Sequence, residues 1–301
     1  MDKVLVRLKG GLGNQLFQYA AAKAQAFSRG IEVVHLDLSY LETKRNPKKF
    51  TNRIYELGNF NFDTIFATDE DISYFRVTTS RKNYIRIMQD ILPISRYTVK
   101  DDYSVFRKYL DNSNSCYLNG YFQSERYFTN IASSLKSELY SKLKAVREQI
   151  KEKLLPDIYL TLASSVCLHI RRGDYITLPS ASKTHGNCDV DYFKDAIDFL
   201  KNKIHLSNIY VFSDDIEWCE SNLPYQQLFN FKFMSKDLGL SAFQEFAIMS
   251  GFEHFIISNS SFSWWTAWIG ETEDSVIITP KQWSLTSINS EQIVPNRWLK
   301  I

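Results

Sequence analysis

The run His169-Ile170-Arg171-Arg172-Gly173-Asp174-Tyr175 sets two guanidiniums, a glycine and a carboxylate directly after a short apolar stretch, Val166 to Ile170. Arginine's planar fork matches a pair of phosphate oxygens, and its charge persists at every physiological pH. Two more polar clusters follow apolar stretches downstream: Ser213-Asp214-Asp215 after Asn208 to Phe212, and Ser258-Asn259-Ser260-Ser261 after Phe255 to Ile257. Taken singly, each is ordinary turn and cap chemistry, and an isolated Arg-Arg-Gly-Asp reads as a surface ion pair. If the three stretches are strands of one parallel sheet, all three clusters emerge on its carboxyl edge, where open α/β sheets bind ligands. With one cluster doubly cationic, the set points to a nucleoside diphosphate.

Ser260 and Ser261 open a helix that carries Phe262, Trp264, Trp265 and Trp268. Backbone N–H groups and hydroxyls at such a terminus suit an anion, and a plain serine N-cap fits the same pattern. The tryptophans read as core. Asp214-Asp215 has two open roles: ligation of a divalent metal, or acceptance of hydrogen bonds from a guanine edge or ribose hydroxyls. The arginine pair already brings the charge a metal would supply, so no metal is expected. Near the start of the chain, Gly10-Gly11-Leu12-Gly13-Asn14-Gln15 turns into a helix. It departs from G-x-G-x-x-G, lacks a Walker lysine, and gives little support to NAD binding. A turn placed for helix–strand packing is the plain alternative. Polar Asn14 and Gln15 at the helix mouth favour a functional role.

These residues need strands and helices to hold them. Val4 to Leu8, the glycine turn, a helix through Leu16, Phe17, Ala20, Ala24 and Phe27, and a strand from Ile31 to Leu36 form a βαβ unit. Residues 40 to 115 give no regular pattern. Leu135, Leu139, Leu143, Val146, Ile150 and Leu154 form a helical stripe ending before Pro156, and the domain boundary is placed there. Beyond it strands and helices alternate again, including a capping box at Ser241-Ala242-Phe243-Gln244. The expected architecture is α/β: residues 1–155 as one α/β domain and 156–301 as a second, with a ligand cleft between them.

At 301 residues, 44% apolar, the chain has core material for two domains, and a net charge of +2 argues against bulk attraction to nucleic acid. Cys116, Cys167, Cys188 and Cys219 show no zinc-site spacing. The chain enters a strand directly after Met1-Asp2-Lys3, and no apolar run reaches the ~18 residues of a membrane span, so a cytoplasmic protein with reduced thiols is expected. Arg172-Gly173-Asp174 spells an adhesion tripeptide and Asn259-Ser260-Ser261 a glycosylation sequon, and neither has meaning in that setting. Lys44, Arg45, Lys48, Lys49 and Arg53 could touch anionic lipid at the inner membrane face, although a solvated loop is the better reading.

Gly10 to Ala20, His169 to Tyr175, Phe212-Ser213-Asp214-Asp215 with Trp218-Cys219, and Asn259 to Trp265 together resemble the bacterial α-1,2-fucosyltransferases. The four motifs run in the family's order across nearly the whole chain. The resemblance implies a GT-B-like architecture of two Rossmann-like domains, the first on the acceptor side and the second binding GDP-β-L-fucose. It also implies an inverting, metal-independent transfer of fucose to the 2-hydroxyl of a galactose-terminated glycan, as in surface polysaccharide or O-antigen assembly. By motif position, Arg171 would bind the β-phosphate and glycosidic oxygen, with Arg172 and His169 in support. Asn14 would hold the reacting end of the donor beside Gly11 and Gly13. Ser260, Ser261 and Phe262, after Asn259, would close over the diphosphate, and His254 would touch the nucleotide. Asp174 is the nearest carboxylate for the acceptor hydroxyl and is read as orienting an arginine. The rival readings are a fucosyltransferase of another linkage, α-1,6 or protein O-linked, and a non-catalytic GDP-sugar or glycan-binding protein.

Overall fold

A computed structural model describes residues 2–43, 51–79, 96–108, 115–151, 165–173, 188–234, 239–284 and 290–301. They fall into two compact units, one over Met1–Arg45 and Asn52–Leu135, the other mainly over Lys136–Ile301.

The first unit holds a five-stranded sheet of β1 (Val4–Arg7), β2 (Val34–Asp37), β3 (Thr64–Phe66), β4 (Arg96–Val99) and β5 (Ser115–Leu118), in the order β3-β2-β1-β5-β4. Every pairing is parallel. Helix α1 (Leu12–Ser28) links β1 to β2. α1 is rich in alanine, and Ala20, Ala21, Ala22, Ala24 and Ala26 are all buried, which lets the helix pack closely. A short helix, α2 (Ser39–Glu42), follows β2. The stretch without a sequence pattern contains β3, β4, α3 (Asp69–Thr79) and α4 (Tyr103–Lys108). Its edge strand β3 spans three residues, of which Ile65 and Phe66 are 50% and 56% exposed, so neither length nor alternation marks it.

The second unit holds β6 (Ser165–Ile170), β7 (Asn208–Ser213), β8 (Asn230–Phe233), β9 (His254–Ile257), β10 (Ile277–Thr279) and β11 (Leu299–Lys300), in the order β11-β10-β9-β6-β7-β8 and again all parallel. β6 is buried at all six positions, the mark of a central strand covered on both faces. With it pack α5 (Ala132–Ile150), α6 (Val190–Lys201), α7 (Ile216–Asn222), α8 (Ala242–Met249) and α9 (Ser261–Gly270). Tyr192 of α6 donates its hydroxyl to the Ile257 and Ile278 carbonyls, tying the helix to β9 and β10. The tryptophans of α9 are core: Trp264 and Trp265 are fully buried, and Trp264 Nε1 donates to the Ile293 carbonyl. The capping box at Ser241 and Gln244 is present.

The division between units falls at Leu135/Lys136, inside α5, rather than near residue 155. Polar contacts of α5 explain this. Arg147 is buried, and its guanidinium donates to the Ala247 carbonyl and to Ser250 Oγ, while Lys136 donates to the Glu271 carbonyl. A buried cation beside the apolar stripe, four residues after Leu143, thus fastens the helix to the second core. Leu154 and Pro156 lie outside the described residues, as do Lys44, Arg45, Lys48 and Lys49.

All four cysteines are buried and free. Burial pushes the thiols of Cys116, Cys188 and Cys219 up to about 11, and that of Cys167 well above its ordinary value. Among the described residues no helix is long and apolar enough to cross a membrane.

Helix α3 is pinned to β1 by Lys3, whose Nζ donates to Asp71 Oδ1 at 2.6 Å. That bond, assisted by the Thr68 N–H and hydroxyl, holds the Asp71 carboxyl down at about 2. Its folded value lies below the unfolded one, so the stabilisation is present above about pH 4 and is lost as pH falls through about 2. Asp71→Asn is therefore expected to cost about 1 kcal/mol at pH 7, with the gap to wild type narrowing in urea melts as pH drops from about 4.

Candidate active site

In the second sheet the strand order reverses between β6 and β9, and both strands end in polar residues there. The two ends are joined through Ser258. Its N–H and its hydroxyl both donate to the His169 carbonyl, at 3.1 and 2.9 Å, and its oxygen accepts from the Arg171 N–H at 3.1 Å. This buried serine extends the β6–β9 contact beyond the last strand residues and fixes where the chain leaves the sheet. Arg171 and Arg172 therefore start from a rigid base.

The two arginines are oriented by the aspartates at the end of β7. Arg171 Nη1 lies 2.8 Å from Asp214 Oδ2, and the Arg172 N–H donates to Asp214 Oδ1 at 2.9 Å. Arg172 Nε donates to Asp215 Oδ2 at 3.1 Å, while Asp215 Oδ1 caps α7 through the Trp218 N–H. All four carboxylate oxygens thus carry a donor. The Arg172 guanidinium also lies over the Trp218 ring, 3.7 Å from its centre. Gly173 is required by this packing, because a Cβ there would meet Asp214 Oδ2 at 2.6 Å. Such half-exposed pairs add little to stability. Their effect is to aim two permanent cations.

Beside them, α9 begins at Ser260, whose hydroxyl accepts from the Phe262 N–H. Asn259 is buried and donates to the Trp283 carbonyl. Phe262 stacks on the His169 ring, with centroids 5.8 Å apart, and meets Phe246 edge-on. Burial first, and the Arg171 charge second, lower the His169 imidazole to about 3. Its Nδ1 is buried and has no hydrogen-bond partner among the described residues. His169 is a neutral wall of the site.

In the first unit, Gly10 takes φ +74°, and a Cβ on it would lie 2.4 Å from Asn14 Nδ2. Asn14 accepts from Gln123 Nε2 at 2.6 Å. Gln15 donates to the Gly10 and Ile54 carbonyls and accepts from the Glu56 N–H, so it binds the 54–56 stretch to the turn. The Glu56 carboxylate accepts from the Leu12 N–H at the mouth of α1, and burial, partly offset by Arg53, raises its pKa. A negative charge of the protein's own occupies this helix terminus. Gly11 faces that carboxylate, and Gly13 is buried in the first helical turn.

Asp214 and Asp215, expected to meet the nucleotide, are in contact with the two arginines. His254 lies at the start of its strand. It is the first residue of β9, level with Val166 at the start of β6, and its Nδ1 accepts from the Val276 N–H. At about 3.3 Å per residue this puts its backbone roughly 10 Å from the carboxyl edge of β9, and its side chain is buried. Asp174 lies outside the described residues. Sequence reasoning missed Ser258 as the link between strands and Trp218 as a platform for Arg172. The spacing of Asp215 and Trp218 as N-cap and third helical residue was the available signal for the second.

A family model described as glycosyl transferase family 11 matches residues 3–301. The chain belongs to this family. Among its family 11 relatives is an alpha-1,2-colitosyltransferase of Escherichia coli, 32% identical, with 100% of this chain and 99% of the relative covered. The O-antigen biosynthesis glycosyltransferase WbnK of Escherichia coli is also 32% identical, over 98% of this chain and 99% of its own. A galactoside alpha-(1,2)-fucosyltransferase 1 of Alouatta belzebul is 25% identical over 50% of this chain and 42% of its own. In fold, the chain is similar to a FUT1 variant of Arabidopsis thaliana solved with GDP, with TM-score 0.52 and 12% identity over 98% of this chain and 74% of that one. The fold is GT-B-like, two Rossmann-like units with parallel sheets.

A His169 ring held at about 3 stays neutral throughout the range in which an exposed imidazole near 6.5 titrates. In histidine-selective 15N NMR its ring signals are expected to stay constant from about pH 5 to 8. The folded value lies below the unfolded one, so this residue favours folding above about pH 6.5 and loses that contribution as pH falls towards about 3.

Proposed function

We propose that this family 11 glycosyltransferase moves L-fucose from GDP-β-L-fucose to the 2-hydroxyl of a terminal galactose, with inversion, in assembly of an O-antigen or related surface glycan. The observation that carries the reading is the Arg171–Asp214 pair at the reversal of the second sheet. In such a transfer the acceptor oxygen attacks the anomeric carbon from the face opposite the nucleotide. The bond from that carbon to the β-phosphate oxygen breaks, the electron pair leaves with GDP, and the acceptor hydroxyl gives up its proton. Negative charge therefore grows on the diphosphate as the sugar passes through an oxocarbenium-like state. A guanidinium already turned to its working direction stabilises that charge without reorganising at the moment of reaction.

In this reading Arg171 meets the β-phosphate and the departing oxygen, and Arg172 supports it from its seat on Trp218 and Asp215. Ser260, Ser261 and Phe262 border the diphosphate at the mouth of α9, with Asn259 and His169 behind them. Asn14 holds the reacting end of the donor. Asp214 and Asp215 act as positioning residues. Asp174, read from the sequence as orienting an arginine, is also the nearest carboxylate by motif position to take the proton of the acceptor hydroxyl. We propose turnover without a metal ion, at the cytoplasmic side.

A second donor has a specific observation in its favour, the full-length similarity to an alpha-1,2-colitosyltransferase. Colitose is fucose without its 3-hydroxyl, and removing one hydroxyl leaves the leaving group and its arginines unchanged. Assay of GDP-fucose and GDP-colitose side by side decides the donor. NMR of the product decides the linkage, separating α-1,2 from α-1,6 or protein O-linked products, and GDP release on adding a galactoside excludes a mere binding protein.

Arg171→Ala is expected to lower kcat/KM by on the order of 10³-fold or more in a GDP-release assay, with unchanged thermal stability. Arg171→Lys is expected to fail comparably, since a point charge cannot fork two oxygens. Asp214→Asn should cost on the order of 10²-fold through misplacement of Arg171. Near-normal turnover of folded Arg171→Ala overturns the assignment, and survival of activity in EDTA checks the metal-free reading.

A further inference from the structure

The first sheet has a reversal of its own, between β1 and β5. The carboxyl ends of β2, β1, β5 and β4 are adjacent there, and each is followed by a side chain that enters one cluster. After β1 comes Lys9, whose Nζ donates to Asn119 Oδ1 at 2.6 Å, directly across the crevice. The same ammonium lies over the ring of Tyr40, which follows β2, at 5.7 Å, and over the ring of Tyr121, which follows β5, at 5.8 Å. After β4 comes Asp101. Its carboxylate accepts from the N–H groups of Tyr121 and Phe122, both at 3.1 Å, and from the Tyr127 hydroxyl at 3.0 Å.

The loop from Asn119 to Gln123 is built rather than loose. Phe122 is fully buried and sits at φ +53°, a left-handed conformation that costs a bulky residue about 1–3 kcal/mol. Gly120 is pressed against Asp101, where a Cβ would come within 2.9 Å of its backbone nitrogen. Such strain persists only when the surroundings over-determine it, and here Asp101 does so. The product of that arrangement is a tyrosine, Tyr121, held 39% exposed at the sheet edge, with Asn119 on one side and Gln123, bonded to Asn14, on the other. Aromatic faces with a few convergent amide and ammonium groups, at the reversal of a parallel sheet, are what a polar ring-shaped ligand requires. A pyranose offers an apolar C–H face to the ring and hydroxyls to the amides. The cations at the cluster already have partners in the protein: Lys9 is divided between two rings and an amide, and Arg7, 5.6 Å from the centre of the Tyr40 ring, lies 3.8 Å from Asp37 Oδ2.

We propose that Tyr121 and Tyr40, with Lys9, Asn119 and Gln123, form a sugar-binding subsite that receives the pyranose of the acceptor, with Asp101 as its positioning residue. The inference rests on the proposed galactoside acceptor for its ligand, and its test is independent of turnover. Binding of two probes, the methyl glycosides of Gal-β1,3-GlcNAc and Gal-β1,4-GlcNAc, is measured by calorimetry and by saturation-transfer NMR on the full chain, with GDP binding as the measure of intact folding. Wild type is expected to bind at least one probe, Tyr121→Ala to weaken it at least tenfold, and Tyr121→Phe to retain it within about twofold, because the ring face and not the hydroxyl makes the contact. Arg171→Ala is expected to bind the probe as wild type does. Equal probe affinity in wild type and a Tyr121→Ala protein that still binds GDP overturns the subsite, as does a wild type that binds neither probe. Failure of fucose transfer with the Tyr121 effect intact overturns the donor reading alone.

Discussion

Asp214 takes the Arg171 guanidinium on one oxygen and the Arg172 backbone N–H on the other, so one carboxylate fixes both the direction of the first cation and the backbone from which the second starts. Their position then depends on β7 as well as on β6. Asp215 repeats the device for Arg172 and fastens it to α7. The whole arrangement is possible only because residue 173 lacks a Cβ and because Ser258 closes the gap between β6 and β9. Two guanidiniums are thus held in fixed directions at a sheet edge, each by a carboxylate, a preorganisation suited to stabilising a growing negative charge.

The same logic recurs in each unit. A parallel sheet that starts in its middle and builds outward in both directions leaves a crevice where the direction changes, with strand ends on either side pointing the same way. In the second unit the crevice is bridged by a serine hydroxyl and flanked by arginines. In the first it is bridged by a lysine and an asparagine and flanked by tyrosines. Each crevice joins cations to aromatic rings: Arg172 over Trp218 in the second unit, Lys9 over Tyr40 and Tyr121 in the first.

Much of this was legible in the sequence where strands are central and helices long. The buried run at β6, the alanine-rich α1, the leucine stripe of α5 and the capping box of α8 follow directly from apolar spacing and cap chemistry. The stretch from 40 to 115 was not legible, because β3 and β4 have three and four residues and the exposed β3 carries Ile65 and Phe66 outward. At the site, types and order pointed to Arg171, Arg172 and the α9 terminus. Partnership did not show: a carboxylate suited to a nucleobase is equally suited to a guanidinium, and only tertiary placement selects. His254 illustrates the converse, since a residue a few positions before a functional segment sits at the opposite end of a strand. Glu56 could not be foreseen, because its contact with α1 spans a turn of no regular pattern.

The deeply sunk sulfurs have a practical corollary. With thiols near 11, only about one in ten thousand is ionised at neutral pH, and the ionised form is the one that reacts. Slow reaction of the native thiols with maleimides is the expected result, so a single cysteine introduced at an open position such as Leu228 should accept a fluorophore or spin label well ahead of the natural ones.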